Sequence, residues 1–295
     1  MGVIIGLVVA IGSMFGGFVA MGGHLAVIWQ PWEFVIIGGM AIGTFVVANP
    51  MPTVTDSGRA SMEAILGTVP KRDKYLALLG LLYALMRELR AKPRNEVEGH
   101  IDSPQTSEIF TSFPMILKDA ELTLFICDYA RLILIGNARP HEIEALMDEE
   151  IGTLKRDKLK PYSSVTAVAE ALPALGIVAA VLGIVKAMGA LDQSPQILGG
   201  LIGAALVGTF AGIFASYAIL APLAQKIKTT REKQLRVYTI VKQSLLAYMN
   251  GALPQIAVEH GRKAISSADR PTIDEVESAT VSGGKGGEAP QKEAA

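Results

Sequence analysis

Four stretches of the chain are apolar for long enough to cross a bilayer: about 2–22, 33–50, 171–191 and 197–221. A helix needs about 20 apolar residues to span a hydrocarbon core of roughly 30 Å. Inside the last two stretches only Lys186 is charged. Elsewhere the pattern is amphipathic. Leucines alternate with polar residues at helical spacing over 75–92, where Gly80 interrupts the run and Pro93 ends or kinks it. A mostly apolar face recurs over 112–135, with Pro114 placed for a first turn. Acids gather toward the start of 140–159, at Glu142, Glu144, Asp148, Glu149 and Glu150, where they suit the helix dipole. A long helix is expected over 224–253, with Pro222 kinking its junction to the fourth run. Residues 95–104 are charged and polar and read as a connection.

The pattern therefore predicts an all-α polytopic membrane protein with four transmembrane helices and a helical cytoplasmic domain. Residues 1–50 hold the first two transmembrane helices and 51–169 the cytoplasmic domain. Residues 170–222 hold the third and fourth transmembrane helices, and 223–279 a cytoplasmic helical extension. The segment 280–295 has almost no bulky apolar residue and is expected to be a disordered tail.

Small residues mark the third and fourth runs. Gly200, Ala204, Gly208, Gly212 and Ser216 recur every fourth position, and Ala179, Gly183 and Ala187 repeat the device one helix earlier. Such a stripe lies on one helix face and lets backbones approach closely in lipid. Gly176 belongs with these packing positions. Thr209 lies beside the stripe, where its hydroxyl can bond back to the Ala205 carbonyl. Glycines in the first two runs likewise imply packing against partners.

Charge placement orients the spans. Gly23–Trp32 and Asp192–Gln196, which join the paired runs, carry no lysine or arginine. Arg59, Lys155, Arg156, Lys158, Lys160, Lys226, Lys228, Arg231, Lys233 and Arg236 all fall on the other side. The positive-inside rule puts 51–169 and 223–295 in the cytoplasm, with both termini. Trp29 and Trp32 fit the opposite interface. The N-terminus lacks the basic region of a signal peptide and reads as a retained span.

Candidate chemistry is sparse. A net charge of −1 gives no footprint for nucleic acid. One cysteine, Cys127, allows neither an intramolecular disulfide nor a cysteine-based zinc site. The four histidines are scattered, and no metalloprotease, phosphate-loop, nucleophile-elbow or dinucleotide motif is present, which argues against an enzyme and implies no metal or other cofactor. Intramembrane carboxylates are the usual proton carriers, yet no acid lies near the middle of a run. Glu33, at the start of the second, reads as an interfacial carboxylate in water. Lys186 lies near the outer end of its run and can snorkel. The chain thus looks like a membrane subunit whose partner supplies the acid.

Several motifs together resemble the MotA family, the larger stator subunits of the bacterial flagellar motor. They are Phe15-Gly16-Gly17, Val35-Ile36-Ile37-Gly38-Gly39, Ser107-Glu108-Ile109-Phe110 and the segment from Glu142 to Glu150. The more specific ones are the segment from Leu172 to Ala180, Val207-Gly208-Thr209-Phe210 and the segment from Ile256 to Lys263. The resemblance covers nearly the whole chain. It implies a homo-pentamer around a MotB dimer in the bacterial inner membrane, with a MotB aspartate carrying the proton. It places Pro173, Ala180, Thr209 and Pro222 at the ion path and its gate. It also places Arg90 and Glu98 on the face that meets the rotor protein FliG. Gly99 and His100 depart from the enterobacterial pattern there, so Arg87, Glu88, Arg94 and Glu96 are further candidates. Sodium-driven relatives carry threonine where this chain has Ala180, which favours protons. An ExbB/TolQ-like energiser of an outer-membrane process and a passive oligomeric scaffold are the alternative readings.

Overall fold

The computed structural model describes residues 2–136 and 139–281. Helices account for its regular structure, and no strand occurs among the described residues. Among the described residues, four helices are long and apolar enough to cross a membrane. The chain divides into two compact units, residues 1–68 with 157–231, and 69–156 with 232–295.

The first unit begins with α1 (Gly2–Ala20), the short α2 (Leu25–Ile28) and α3 (Pro31–Ala48). None of the residues of α1 is buried. Pro31 starts α3 at a position where its missing N–H costs nothing. Next comes α4 (Met51–Leu66), which ends at Gly67 with φ +71°, a left-handed cap that glycine adopts without strain. Its Ala60 and Ala64 pack with Val165, Ala224 and Ile227. Beside that cluster the nearly buried Arg231 guanidinium reaches Asp56 at 2.8 Å and Glu63 at 3.3 Å. Ser164 Oγ donates to Asn49 Oδ1 at 2.6 Å.

The second unit is built on α5 (Arg72–Ala91), α6 (Arg94–Asp102), α7 (Glu108–Thr111), α8 (Pro114–Leu117) and α9 (Ala120–Ile135). Tyr75, Leu78, Leu82, Leu85 and Met86 of α5 sit at the centre of its core. Phe125 lies 4.7 Å from Tyr129 and 5.1 Å from Tyr238, ring centre to ring centre, a spacing that aromatic quadrupoles favour. Lys242 is nearly buried and is held by Asp148 at 2.7 Å and Glu144 at 3.2 Å. Cys127 is buried here, and burial pushes its thiol up to about 11.

Several element boundaries differ from the sequence expectation. Residues 95–104 are not a plain connection: α6 forms because Val97 and Ile101, four apart, both reach the core. The helix expected over 112–135 is two helices, since Asp119 accepts the Leu122 N–H and caps a fresh start at α9. The third amphipathic stretch does not stop near 159. It is the start of α10 (Pro140–Met188), which continues through Pro161 and Pro173. The fourth run forms α11 (Pro195–Phe214), followed without a break by a π-turn (Ala215–Leu220) and α12 (Ala221–Met249). Then come α13 (Pro254–Lys263) and α14 (Ile273–Val281). Thr280 and Val281 are helical rather than part of a tail. Residues 282–295 lie outside the described residues.

Candidate ion-path site

The membrane part of α10 crosses α11 where glycine removes the side chains that would hold them apart. A methyl group on Gly176 would come within 2.8 Å of the Gly208 carbonyl oxygen and 3.1 Å of Gly212 Cα. One on Gly212 would meet the Leu172 carbonyl oxygen at 2.5 Å. Gly183 is held against Ala205, where a methyl group would sit 2.6 Å from its Cβ. Four of the six predicted packing positions, Gly176, Gly183, Gly208 and Gly212, therefore mediate close backbone approach. Gly200 does not: it is exposed, with open space where a side chain would go. Ala204 is only half-buried, and its neighbour Ala205 faces the contact instead. A strict four-residue stripe drifts around a helix of 3.6 residues per turn, so it leaves the contact at its outer end.

Three of the four predicted ion-path residues gather at this crossing. Ala180 is buried, with its backbone nitrogen 3.3 Å from where a Gly208 side chain would stand. Thr209 Cα is 3.3 Å from the corresponding point on Gly176. Pro173 is half-buried and one helical turn before Gly176. Thr209 is half-buried, and among the described residues its hydroxyl does not bond back to the Ala205 carbonyl. Pro222 is not at the crossing. It is exposed and lies beyond the π-turn, roughly 15 Å along the helix from Gly212.

Glu33 departs from the sequence expectation. Its half-buried side chain reaches both α10 and α11. Its Oε2 lies 2.9 Å from where a Gly208 side chain would stand, and Oε1 3.4 Å from the same point on Gly183. Oε2 is buried and has no hydrogen-bond partner among the described residues. Lys186 is close enough to act on it electrostatically. A buried carboxylate oxygen thus lies in the first turn of α3, away from the middle of any run. One sequence signal pointed to it: apart from a single histidine, Glu33 is the sole acid or base among the side chains of residues 1–50.

A second predicted group forms the corner between α5 and α6. Arg87, Arg90, Arg94, Glu96 and Glu98 are all exposed, and Glu88 is half-buried. Glu88 is engaged by Lys92 at 2.8 Å and Arg87 at 3.7 Å. Among the described residues, Arg90, Arg94, Glu96 and Glu98 hold no ion pair.

Known proteins share both the sequence and the fold. Residues 4–93 match the motility protein A N-terminal family, and residues 118–239 match the MotA/TolQ/ExbB proton channel family. Over 275 residues the chain is 43% identical to motility protein A of Salmonella typhimurium and 41% identical to that of Escherichia coli, 93% of each chain being covered in both cases. It is 35% identical to the chemotaxis protein LafT of Vibrio parahaemolyticus, over 92% of this chain and 96% of that one. The fold is similar to C. jejuni MotAB, with a TM-score of 0.73 at 19% identity, over 92% of this chain and 98% of that one. The flagellar MotAB stator complex from Bacillus subtilis gives 0.66 at 20% identity, over 90% and 96%. With four helices among the described residues long and apolar enough to cross a membrane, the chain belongs to the motility protein A family, within the MotA/TolQ/ExbB proton channel proteins.

Proposed function

We infer that this chain is a stator subunit of the bacterial flagellar motor, forming with MotB a proton-conducting complex that converts proton motive force into torque on the rotor. The observation that carries the reading is the α10–α11 crossing. It packs glycine on glycine within the chain, and the threonine whose hydroxyl is unbonded within the described residues has its Cα against Gly176 there. A sleeve of this kind serves a partner helix that brings its own titratable acid. Five copies around two MotB chains in the inner membrane, with both termini cytoplasmic, give each subunit its turn at that acid.

Protons are the coupling ion in this reading. Sodium needs several oxygen ligands, and Ala180 offers no side-chain oxygen where Thr209 offers one. A proton needs only a carboxylate and a water path. The membrane potential supplies about 2.3 kcal/mol per charge per 100 mV, so sustained work requires many protons in sequence. Each change of charge on the MotB acid alters its preferred packing against the crossing, and the corner at Arg90 and Glu98 transmits the resulting motion to FliG. Exposed charges of both signs suit such a moving contact, because they set register without burying apolar surface.

The experiment is replacement of the stator in a motile bacterium that lacks its own, with this chain and its MotB supplied together. Rotation speed should follow the proton motive force, and Thr209→Ala and Pro173→Ala should lower it while the complex still assembles. Rotation that follows a sodium gradient instead would overturn the choice of ion. Full proton flux and rotation in both variants would favour the passive scaffold.

A further inference from the structure

We propose that Ser216 is a positioning residue that ties the hydrogen bond missing at Pro173 to the π-turn preceding Pro222. Proline has no backbone N–H, so inside a helix it leaves the carbonyl four residues earlier without its donor. For Pro173 that carbonyl belongs to Ala169. Ser216 Oγ donates to the Ala169 carbonyl oxygen at 2.6 Å. Both residues are only 2% exposed, so water does not take the place of the missing donor. A side chain from the next span has filled the vacancy that a proline made in this one.

The donor's own setting is also unusual. A serine inside a helix commonly bonds to the carbonyl four residues before it, which here is Gly212. Ser216 instead turns across to α10. It can do so for two reasons. The backbones are already in close contact one turn earlier, where Gly212 lies against the Leu172 carbonyl. Ser216 is also the second residue of the π-turn Ala215–Leu220, found nowhere else among the described residues. A π-turn adds one residue to a helical turn, and so rotates the succeeding helix by about 100° relative to an unbroken one. Pro222 comes two residues after that turn, and it too lacks an N–H and crowds the carbonyl four residues back.

The two prolines are therefore not independent of one another. Any change of angle at Pro173 must stretch the Ser216 bond or carry the π-turn with it. That turn sets the direction in which α12 leaves the membrane segment. Ser216 would pass a change at the ion-path crossing to the helix beyond Pro222. This inference rests on the stator reading only for its motor consequence; the bond itself can be tested separately.

The test uses the full-length chain assembled with its MotB partner. Thermal unfolding of the purified complex is compared for wild type, Ser216→Ala, Pro173→Ala and the double variant. Pro173→Ala returns an N–H to the Ala169 carbonyl. Ser216→Ala should then lower the midpoint by about 2–4 °C in the wild-type background and by much less in the Pro173→Ala background. Equal shifts in both backgrounds overturn the proposed bond, since ordinary packing does not depend on a donor at position 173. Should Ser216→Ala fail to assemble, Ser216→Cys, similar in volume and a weaker donor, takes its place in the same cycle. A positioning role further requires the low-load speed of the serine variant to fall by about twofold or more at wild-type membrane abundance; unchanged speed would make the bond merely structural. If the wild-type chain turns no motor, the stator reading fails, while the thermal cycle still decides the bond.

Discussion

Glu33 Oε2 occupies the space that a side chain on Gly208 would need, 2.9 Å from where its Cβ would stand. Gly208 thus does two things at once: it admits the α10 backbone at Ala180, and it admits the carboxylate from α3. Gly208→Val should displace both, at a cost of roughly 1–3 kcal/mol from overpacking alone. The variant is expected to accumulate poorly in the membrane and to co-purify weakly with MotB. Gly200→Ala, on the same predicted stripe but facing open space, should assemble as the wild type does. Equal losses at the two positions would mean that the whole stripe packs, contrary to a contact confined to the glycine crossing.

Gly261 provides the equivalent test in the second unit. A side chain at this position of α13 would overlap the Ser244 hydroxyl and stand 3.2 Å from the Ile240 carbonyl oxygen. Ser244 is fully buried, and the Ile240 carbonyl beside it is fixed backbone. Gly261→Ala is expected to destabilise the chain by about 1–3 kcal/mol, visible as a lower unfolding midpoint. Gly99→Ala is the control: Gly99 sits in α6 with open space around it. There the gain in helix propensity of up to about 1 kcal/mol should leave the midpoint unchanged or higher.

The all-helical class, the four spans and the family were legible in the sequence, because long apolar runs and glycine spacing are local signals; the helix at 94–102, expected as a connection, was not. Nor was the passage of helices through proline. A helix ending near 159 and a separate span starting near 171 are one element, since α10 runs through both Pro161 and Pro173. Neighbouring elements can supply the contacts that a proline removes. Ser216 does this for Pro173, from 47 positions beyond the carbonyl it serves. The destination of Glu33 was not legible either, because it depends on which helices flank α3, a question of tertiary packing. Pro173, Ala180 and Thr209 do fall together at one crossing. Nothing in their spacing alone separates Pro222, which lies apart from them.

Glu259 and Arg262 supply a pH-dependent contribution. The carboxylate accepts from Arg262 Nε and Nη2, both at 2.6 Å, while Nη1 donates to the Pro271 carbonyl at 2.8 Å. The Arg262 hydrogen bonds hold the Glu259 carboxyl below its ordinary value, outweighing the opposing effect of burial. A carboxyl whose folded pKa is depressed adds stability that is present above its unfolded pKa and is lost as pH falls through the folded value. The gap in unfolding midpoint between wild type and Glu259→Gln should therefore be largest at neutral pH and should close as the pH is lowered toward about 3. A gap that stays constant over this range would show that the pair contributes through shape rather than charge.

Arg90 and Glu98 stand on the exposed corner between α5 and α6. Both side chains are exposed and neither holds an ion pair among the described residues, so the fold has little use for their charges. Surface substitutions of this kind usually change stability by no more than about 0.5 kcal/mol. Arg90→Glu is accordingly expected to leave membrane abundance and co-purification with MotB intact. If the corner engages FliG, the same variant should nonetheless shrink swimming colonies, and a charge reversal on FliG should restore them in part. Normal swimming would remove Arg90 from the interface and shift attention to Arg87, Arg94 and Glu96 on the same corner. Loss of abundance together with swimming would instead give Arg90 a part in folding. Its exposure argues against that, so measuring both quantities in one strain separates the two roles.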